Sequence, residues 1–130
     1  MADNTFTTQS WDERAVSGTE GSPRVAHAHA TFAYTGLIEG TSTADMLLYY
    51  ADDSDVTSPG LERFEGSVAG RKGTFVVRHE YRFAPDSHEV TSTFSVLPGS
   101  ATGELTGLTG RGTIAGSSRT MKYTFEPVFG

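Results

Sequence analysis

The stretch LERFEGSVAGRKGTFVVRHEYRFAPDSHEVTSTFSVL, residues 61–97, decides the fold. Polar and apolar residues alternate through it, and two clusters, Gly70-Arg71-Lys72-Gly73 and Ala84-Pro85-Asp86-Ser87, have turn composition. Period-two alternation marks a half-buried strand, and Gly- or Pro-rich breaks between such runs close hairpins. With Arg71-Lys72 as the first loop, Glu65 falls opposite Arg78 and Arg63 opposite Glu80. With Pro85-Asp86 as the second, Arg82 faces Glu89 on the same charged side. The other face then carries four rows: Val68, Phe75, Val96; Gly66, Val77, Phe94; Phe64, His79, Ser92; Glu62, Tyr81, Val90. A slip of one residue would turn the ion pairs inward at a desolvation cost of several kcal/mol per ion, so these rows form the inner face.

Similar runs continue on both sides. Fifteen Gly and five Pro punctuate the chain, and the segments between them predict strands at Thr5–Val16, Arg24–Thr35, Thr41–Ala51, Leu61–Ala69, Thr74–Ala84, His88–Leu97, Glu104–Ile114 and Arg119–Phe129. In the second strand Ala26, Ala28, Ala30, Phe32 and Tyr34 take the inner face, which turns His27 and His29 outward and leaves space beside the small Ala residues. In the last strand Met121, Tyr123 and Phe125 point in. The dense glycines between Gly99 and Gly116 suit bulges or a barrel corner. One competing signal is Ser42-Thr43-Ala44-Asp45 before Met46–Tyr50, which has the form of a helix N-cap and first turns. The reading that satisfies the whole pattern is all-β, a single eight-stranded antiparallel barrel over residues 1–130, a size that one core can serve.

Composition narrows the functional classes. Of 130 residues 36% are hydrophobic and 20% charged, an ordinary globular balance. With no cysteine there are no disulfides, thiolate nucleophiles or cysteine-bound metal centres. A net charge of −6, only two Lys and eight scattered Arg argue against nucleic acid, which needs clustered cations. The first residues lack the basic and apolar regions of a signal peptide, and no run approaches the ~20 apolar residues of a membrane helix, so a cytoplasmic setting with no membrane partner is expected.

Five segments together carry a likeness: Ser10-Trp11-Asp12-Glu13, Glu39-Gly40-Thr41-Ser42, Gly60-Leu61-Glu62-Arg63-Phe64-Glu65-Gly66, Gly73–His79 and Pro98–Leu105. The chain resembles, over nearly its whole length, a family of small bacterial proteins of unknown function placed with the allene oxide cyclase-like barrels. The resemblance implies an eight-stranded antiparallel barrel. Allene oxide cyclases and the dirigent-like barrels allied to them hold an apolar substrate in the lumen and steer it mainly by shape. None of their active-site motifs matches here, so the resemblance assigns no catalytic residue.

The inner face supplies the candidates. The rows near Arg71-Lys72 are apolar, whereas those near Pro85-Asp86 carry Glu62, His79, Tyr81 and Ser92. An apolar pocket with a few convergent polar groups is the general form of a small-molecule site. Glu62 on an apolar face is desolvated and suits a general acid or base, and His79, diagonal to it, is within reach of a His–carboxylate pair. A Glu bending into solvent at the rim and a His satisfied by Ser92 are the bland alternatives. Tyr34, Tyr81 and Ser92 offer hydrogen bonds to a carbonyl or carboxylate, and Phe64, Phe94 and Tyr123 complete a ligand-binding lining, although inward aromatics also serve as filler. Trp11 shares a face with Glu13 and could cap the lumen.

Other patterns fall short. The His27-Ala28-His29 spacing is that of a cupin metal site, but both rings point outward and no Glu follows, so no metal or other cofactor is expected. Asp52-Asp53-Ser54-Asp55 lacks the Gly and terminal Glu of a calcium loop and reads as a solvated turn. The functional expectation is a barrel binding an apolar or amphipathic small molecule, with Glu62 and His79 moving protons in a cyclisation or isomerisation. The alternative is a non-catalytic carrier or a structural barrel. A homo-oligomer, dimer or trimer, is compatible with either.

Overall fold

Alternation persists through the chain, and the computed structural model, which describes residues 4–18, 23–50, 56–84 and 89–130, contains eight strands. They are β1 (Thr5–Ser17), β2 (Arg24–Thr35), β3 (Ile38–Tyr50), β4 (Val56–Val68), β5 (Arg71–Ala84), β6 (Glu89–Val96), β7 (Thr109–Gly116) and β8 (Thr120–Val128). Each pairs antiparallel with the next, and β8 returns to β1 through Thr5–Lys122, Phe6–Met121 and Thr7–Thr120, closing a barrel. Among the described residues no helix is long and apolar enough to cross a membrane. The helix signal at Ser42–Asp45 is overridden. In β3, Ser42, Ala44, Met46 and Leu48 are buried while the residues between them are exposed, a period-two burial that a helix could not provide.

The inner and outer faces are those expected, but the pairing along them is not. The β4–β5 hairpin turns at Ala69-Gly70, with φ of 51° and 83°, and sets Val68 opposite Arg71. Two positive φ values in a two-residue loop match the right-handed twist of the flanking strands. Phe64 therefore pairs with Phe75, Glu62 with Val77, Gly60 with His79 and Ser58 with Tyr81. The β5–β6 register also differs, with Val77 opposite Val96, His79 opposite Phe94 and Tyr81 opposite Ser92. The turn expected at Pro85-Asp86 lies outside the described residues, as does the one at Asp52–Asp55. Both registers are displaced by an even number of residues, so every side chain keeps its face. In place of the expected cross-strand pairs Glu65–Arg78 and Arg63–Glu80, Arg63 pairs with Glu65 and Arg78 with Glu80 along their own strands.

Glycines explain the register. Gly40, Gly66 and Gly73 stand side by side across β3, β4 and β5. A Cβ on Gly66, whose φ is +155°, would lie 2.0 Å from the Glu39 carbonyl oxygen, and one on Gly73 would lie 2.1 Å from that of Thr102. Only side-chain-free backbone allows the sheet to crowd this closely, and the hairpin must turn where it brings these positions together.

The segment that approaches Gly73 closes the lower end of the barrel. The strand expected over Glu104–Ile114 is divided: Gly103–Leu105 forms a single 3-10 turn and β7 begins only at Thr109. Leu105 and Leu108 are both fully buried, and the Thr102 N–H donates to the Thr74 carbonyl at 2.9 Å. Aromatic rings fill the space above this plug, with Phe64 and Phe75 stacked at 4.6 Å and Phe75, Phe94 and Phe125 in a chain of contacts behind them. The strand ends at Ser17, Arg24, Tyr50, Val56, Gly116 and Thr120 lie at the opposite, upper end. Gly66→Ala combines an unfavourable φ with a backbone clash, and urea unfolding is expected to show a loss of about 2 kcal/mol or more.

Candidate functional site

The site begins with an irregularity in β1. Between Thr8 and Ser10 the pairing with β2 skips a residue, a β-bulge that reverses which side chains face inward. Phe6 and Thr8 line the lumen before it, and Trp11 and Glu13 line it after. The β1–β8 pairing ends at Thr7–Thr120, Thr8 exchanges hydrogen bonds with Arg119 of the β7–β8 turn, and Ser117 and Ser118 of that turn border this side of the lumen.

The upper lumen holds a cavity of about 330 Å³ whose wall is mainly apolar, with Phe32, Met46, Leu48, Phe83 and Ile114 among its contributors. Trp11, Glu13 and Tyr50 stand at its upper end, and Glu62, Ser58, Tyr34 and Tyr81 supply polar groups deeper in. At the upper end the Trp11 indole N–H donates to Glu13 Oε1 at 3.1 Å and the Tyr50 hydroxyl donates to Oε2 at 2.6 Å. The Arg24 guanidinium lies 4.1 Å from the Tyr50 ring centre, a cation–π distance. Burial and then the Glu13 hydrogen bond push the Tyr50 hydroxyl up to about 12.

Glu62 is 1% exposed, and three other strands, β2, β3 and β5, supply its hydrogen-bond partners. Its Oε2 accepts from the Tyr34 hydroxyl at 2.7 Å and from Ser42 Oγ at 2.5 Å, and its Oε1 lies 2.6 Å from His79 Nε2. His79, fully buried, places Nδ1 2.9 Å from Ser92 Oγ. With Glu62 ionised, His79 carries its proton on Nε2 and Ser92 donates to Nδ1; with the proton on Glu62, the other tautomer donates to Ser92. Ser92 Oγ is also 3.2 Å from the Thr93 carbonyl, so its hydroxyl can turn to either partner. The two states differ by one proton taken up by the pair, and in each of them every buried group is paired. Burial, and next the charge of Glu62, hold the Tyr34 and Tyr81 hydroxyls well above the usual tyrosine range.

The residues singled out from sequence divide into two sets. Glu62, Tyr34, Tyr81 and Trp11 reach the cavity wall. His79 and Ser92 stand behind Glu62, while Phe64 and Phe94 pack in the ring cluster below. Tyr123 donates its hydroxyl to the Thr35 carbonyl at 2.8 Å and accepts the Ile38 N–H at 2.8 Å, which makes it a brace between strands. Ser42, Ser58 and Tyr50 were missed, and continuing the even-residue alternation through β3 and β4 would have found them. Glu62 also lies deeper than a rim residue. The Ala residues of β2 do not line the cavity: Ala30 and Ala44 sit between Trp11 and Glu62 in one cross-strand row.

On the outer surface His27 Nε2 and His29 Nδ1 approach the same oxygen of Asp45, at 3.0 and 2.8 Å. Among the described residues no group of three or more His, Asp or Glu is arranged to hold a metal ion.

A family model described as Protein of unknown function (DUF3224) matches residues 2–126. The chain belongs to this family. The crystal structure of a DUF3224-family protein with unknown function from Shewanella oneidensis MR-1 is 25% identical, covers 98% of this chain and 99% of that chain, and superposes with a TM-score of 0.71. No curated protein matches the chain. The comparisons support the unknown-function family and do not extend to the allene oxide cyclase-like barrels. In this DUF3224 chain two of the sequence motifs have clear structural work: Gly60–Gly66 holds Glu62 and the close-packed Gly66, and Pro98–Leu105 builds the lower plug.

Removing one partner of a buried pair strands the other, so His79→Ala is expected to cost about 3–5 kcal/mol in chemical denaturation, against less than about 1 kcal/mol for Arg63→Ala on the surface. The hydrogen bond from His29, followed by that from His27, lowers the Asp45 carboxyl below its ordinary 3.8. A depressed carboxylate contributes stability above its unfolded pKa and loses it as pH falls through the folded one. The Asp45 carboxyl resonance is therefore expected to titrate below 3.8 and to move up towards that value in His29→Ala.

Proposed function

We propose that this barrel binds a small apolar or amphipathic molecule in its upper lumen and that Glu62 exchanges a proton with it, in an isomerisation or cyclisation. The supporting observation is a carboxylate on the wall of an otherwise largely apolar cavity of about 330 Å³, at the lower end of the ~300–1,000 Å³ usual for ligand pockets. Water is scarce in such a site, and a carboxylate there acts on bound substrate in a low dielectric. His79 has no place on the cavity wall and takes the role of a positioning residue that can hold the proton while Glu62 works.

A second reading has its own support. Glu62 already accepts hydrogen bonds from Tyr34 and Ser42 and pairs with His79, as a purely structural carboxylate in a carrier would. Both readings require an accessible lumen, and the single Trp reports on it because Trp11 borders the cavity.

N-phenyl-1-naphthylamine, a neutral apolar fluorophore, is expected to bind one per chain with enhanced emission and with a change in Trp11 fluorescence. Leu48→Trp, which fills the cavity, should abolish binding while the circular dichroism spectrum stays that of the native barrel. Absence of saturable binding to the native chain would refute a ligand-holding lumen.

A further inference from the structure

Resting on that reading, we propose that the substrate is a neutral apolar ketone or enone with an acidic C–H, and that Tyr81 is the catalytic hydrogen-bond donor to its carbonyl oxygen while Glu62 takes the proton. The hydroxyls of the other inward tyrosines are engaged: Tyr34 on Glu62, Tyr50 on Glu13, and Tyr123 on the Thr35 carbonyl. Among the described residues the Tyr81 hydroxyl has no hydrogen-bond partner, although it lines the same cavity as Glu62. Tyr81 is half-buried, and a hydroxyl that faces the cavity without a protein partner is free to donate to an acceptor on a ligand.

Its position is held firmly. The Tyr81 ring stacks on the His79 imidazole at 4.4 Å and 16°, and His79 is itself fixed by Glu62 and Ser92. Gly60 leaves room for that ring, since a Cβ there would lie 3.0 Å from Tyr81 Cε2. The network that orients the base thus also orients the donor. Among the described residues no Lys or Arg lines the cavity, so a carboxylate or phosphate on the ligand would meet Glu62 without a counterion. A carbonyl accepts from Tyr81 and carries no such penalty.

The step balances without a cofactor. A carboxylate oxygen of Glu62 removes a proton from the carbon beside the carbonyl, the C–H pair becomes the C=C bond, and the carbonyl π pair moves onto oxygen. Tyr81 O–H donates to this enolate oxygen without transferring its proton, and its raised pKa keeps it a donor. Once the proton on Glu62 has been replaced from solvent, its delivery to the same carbon gives isotope exchange; delivery to the vinylogous carbon of an enone gives double-bond migration.

The test uses 2-tetralone, an apolar ketone with acidic C1 protons, with the full chain in D2O. Proton NMR should show C1 exchange faster than in buffer alone. Tyr81→Phe, which removes no hydrogen bond within the described protein, should slow that exchange by about 100-fold while the Kd read from Trp11 fluorescence changes no more than a few-fold. Glu62→Gln should reduce exchange to the buffer rate. Tetralone that binds without exchanging, or a Tyr81→Phe variant that exchanges as fast as the native chain, overturns the assignment and leaves the binding lumen standing. Failure of both tetralone and N-phenyl-1-naphthylamine to bind overturns the two together.

Discussion

A carboxylate withdrawn from water inside a barrel has to be met by donors, and Glu62 draws them from across the sheet. Tyr34 comes from β2, Ser42 from β3, His79 from β5 and, behind it, Ser92 from β6, so one network ties five consecutive strands together. A change of register in any of these strands would leave buried charge or an imidazole unpaired, at a cost comparable with much of a small domain's net stability. This interaction therefore constrains the relative placement of the strands more tightly than the apolar contacts around it, which tolerate substitution of similar volume.

Below the network and above it the lumen is used differently. The lower half is packed with Phe64, Phe75, Phe94 and Phe125 and sealed by Leu105 and Leu108, which makes it a core. In the upper half the β1 bulge turns Trp11 and Glu13 inward, and a cavity remains between them and Leu48, Phe83 and Ile114. Glu62 sits at the boundary, buried and held by His79, and borders the cavity above. Support beneath a carboxylate and open volume in front of it is the arrangement that the proposed binding and proton transfer call for.

The DUF3224 family membership supplies a fold-level kinship and no chemistry, since a shared barrel hosts unrelated activities and function has to be argued from the site. What distinguishes this site from packed core is a carboxylate on a cavity wall that also carries a tyrosine hydroxyl engaged by none of the described residues. The outer surface makes a useful contrast. There His27, His29 and Asp45 satisfy one another in the presence of solvent, whereas the inner Glu62 and His79 do so without it.

Strand content and facing were legible in the chain itself, because alternation is a local property and charged residues such as Arg63, Glu65, Arg78 and Glu80 declare the outer face wherever they occur. The same alternation nominated Glu62, His79, Tyr81 and Tyr34 as inward. Pairing was not legible, since displacements by an even number of residues leave every face unchanged and so cost nothing in local pattern. Tertiary structure decided it, through the Ala69-Gly70 turn and through Gly40, Gly66 and Gly73 meeting where backbone must pack against backbone. It also decided that Trp11 and Glu13 face the lumen and that Leu105 and Leu108 plug it. A bulge and a plug are defined by what lies across from them, and those neighbours are distant in the chain.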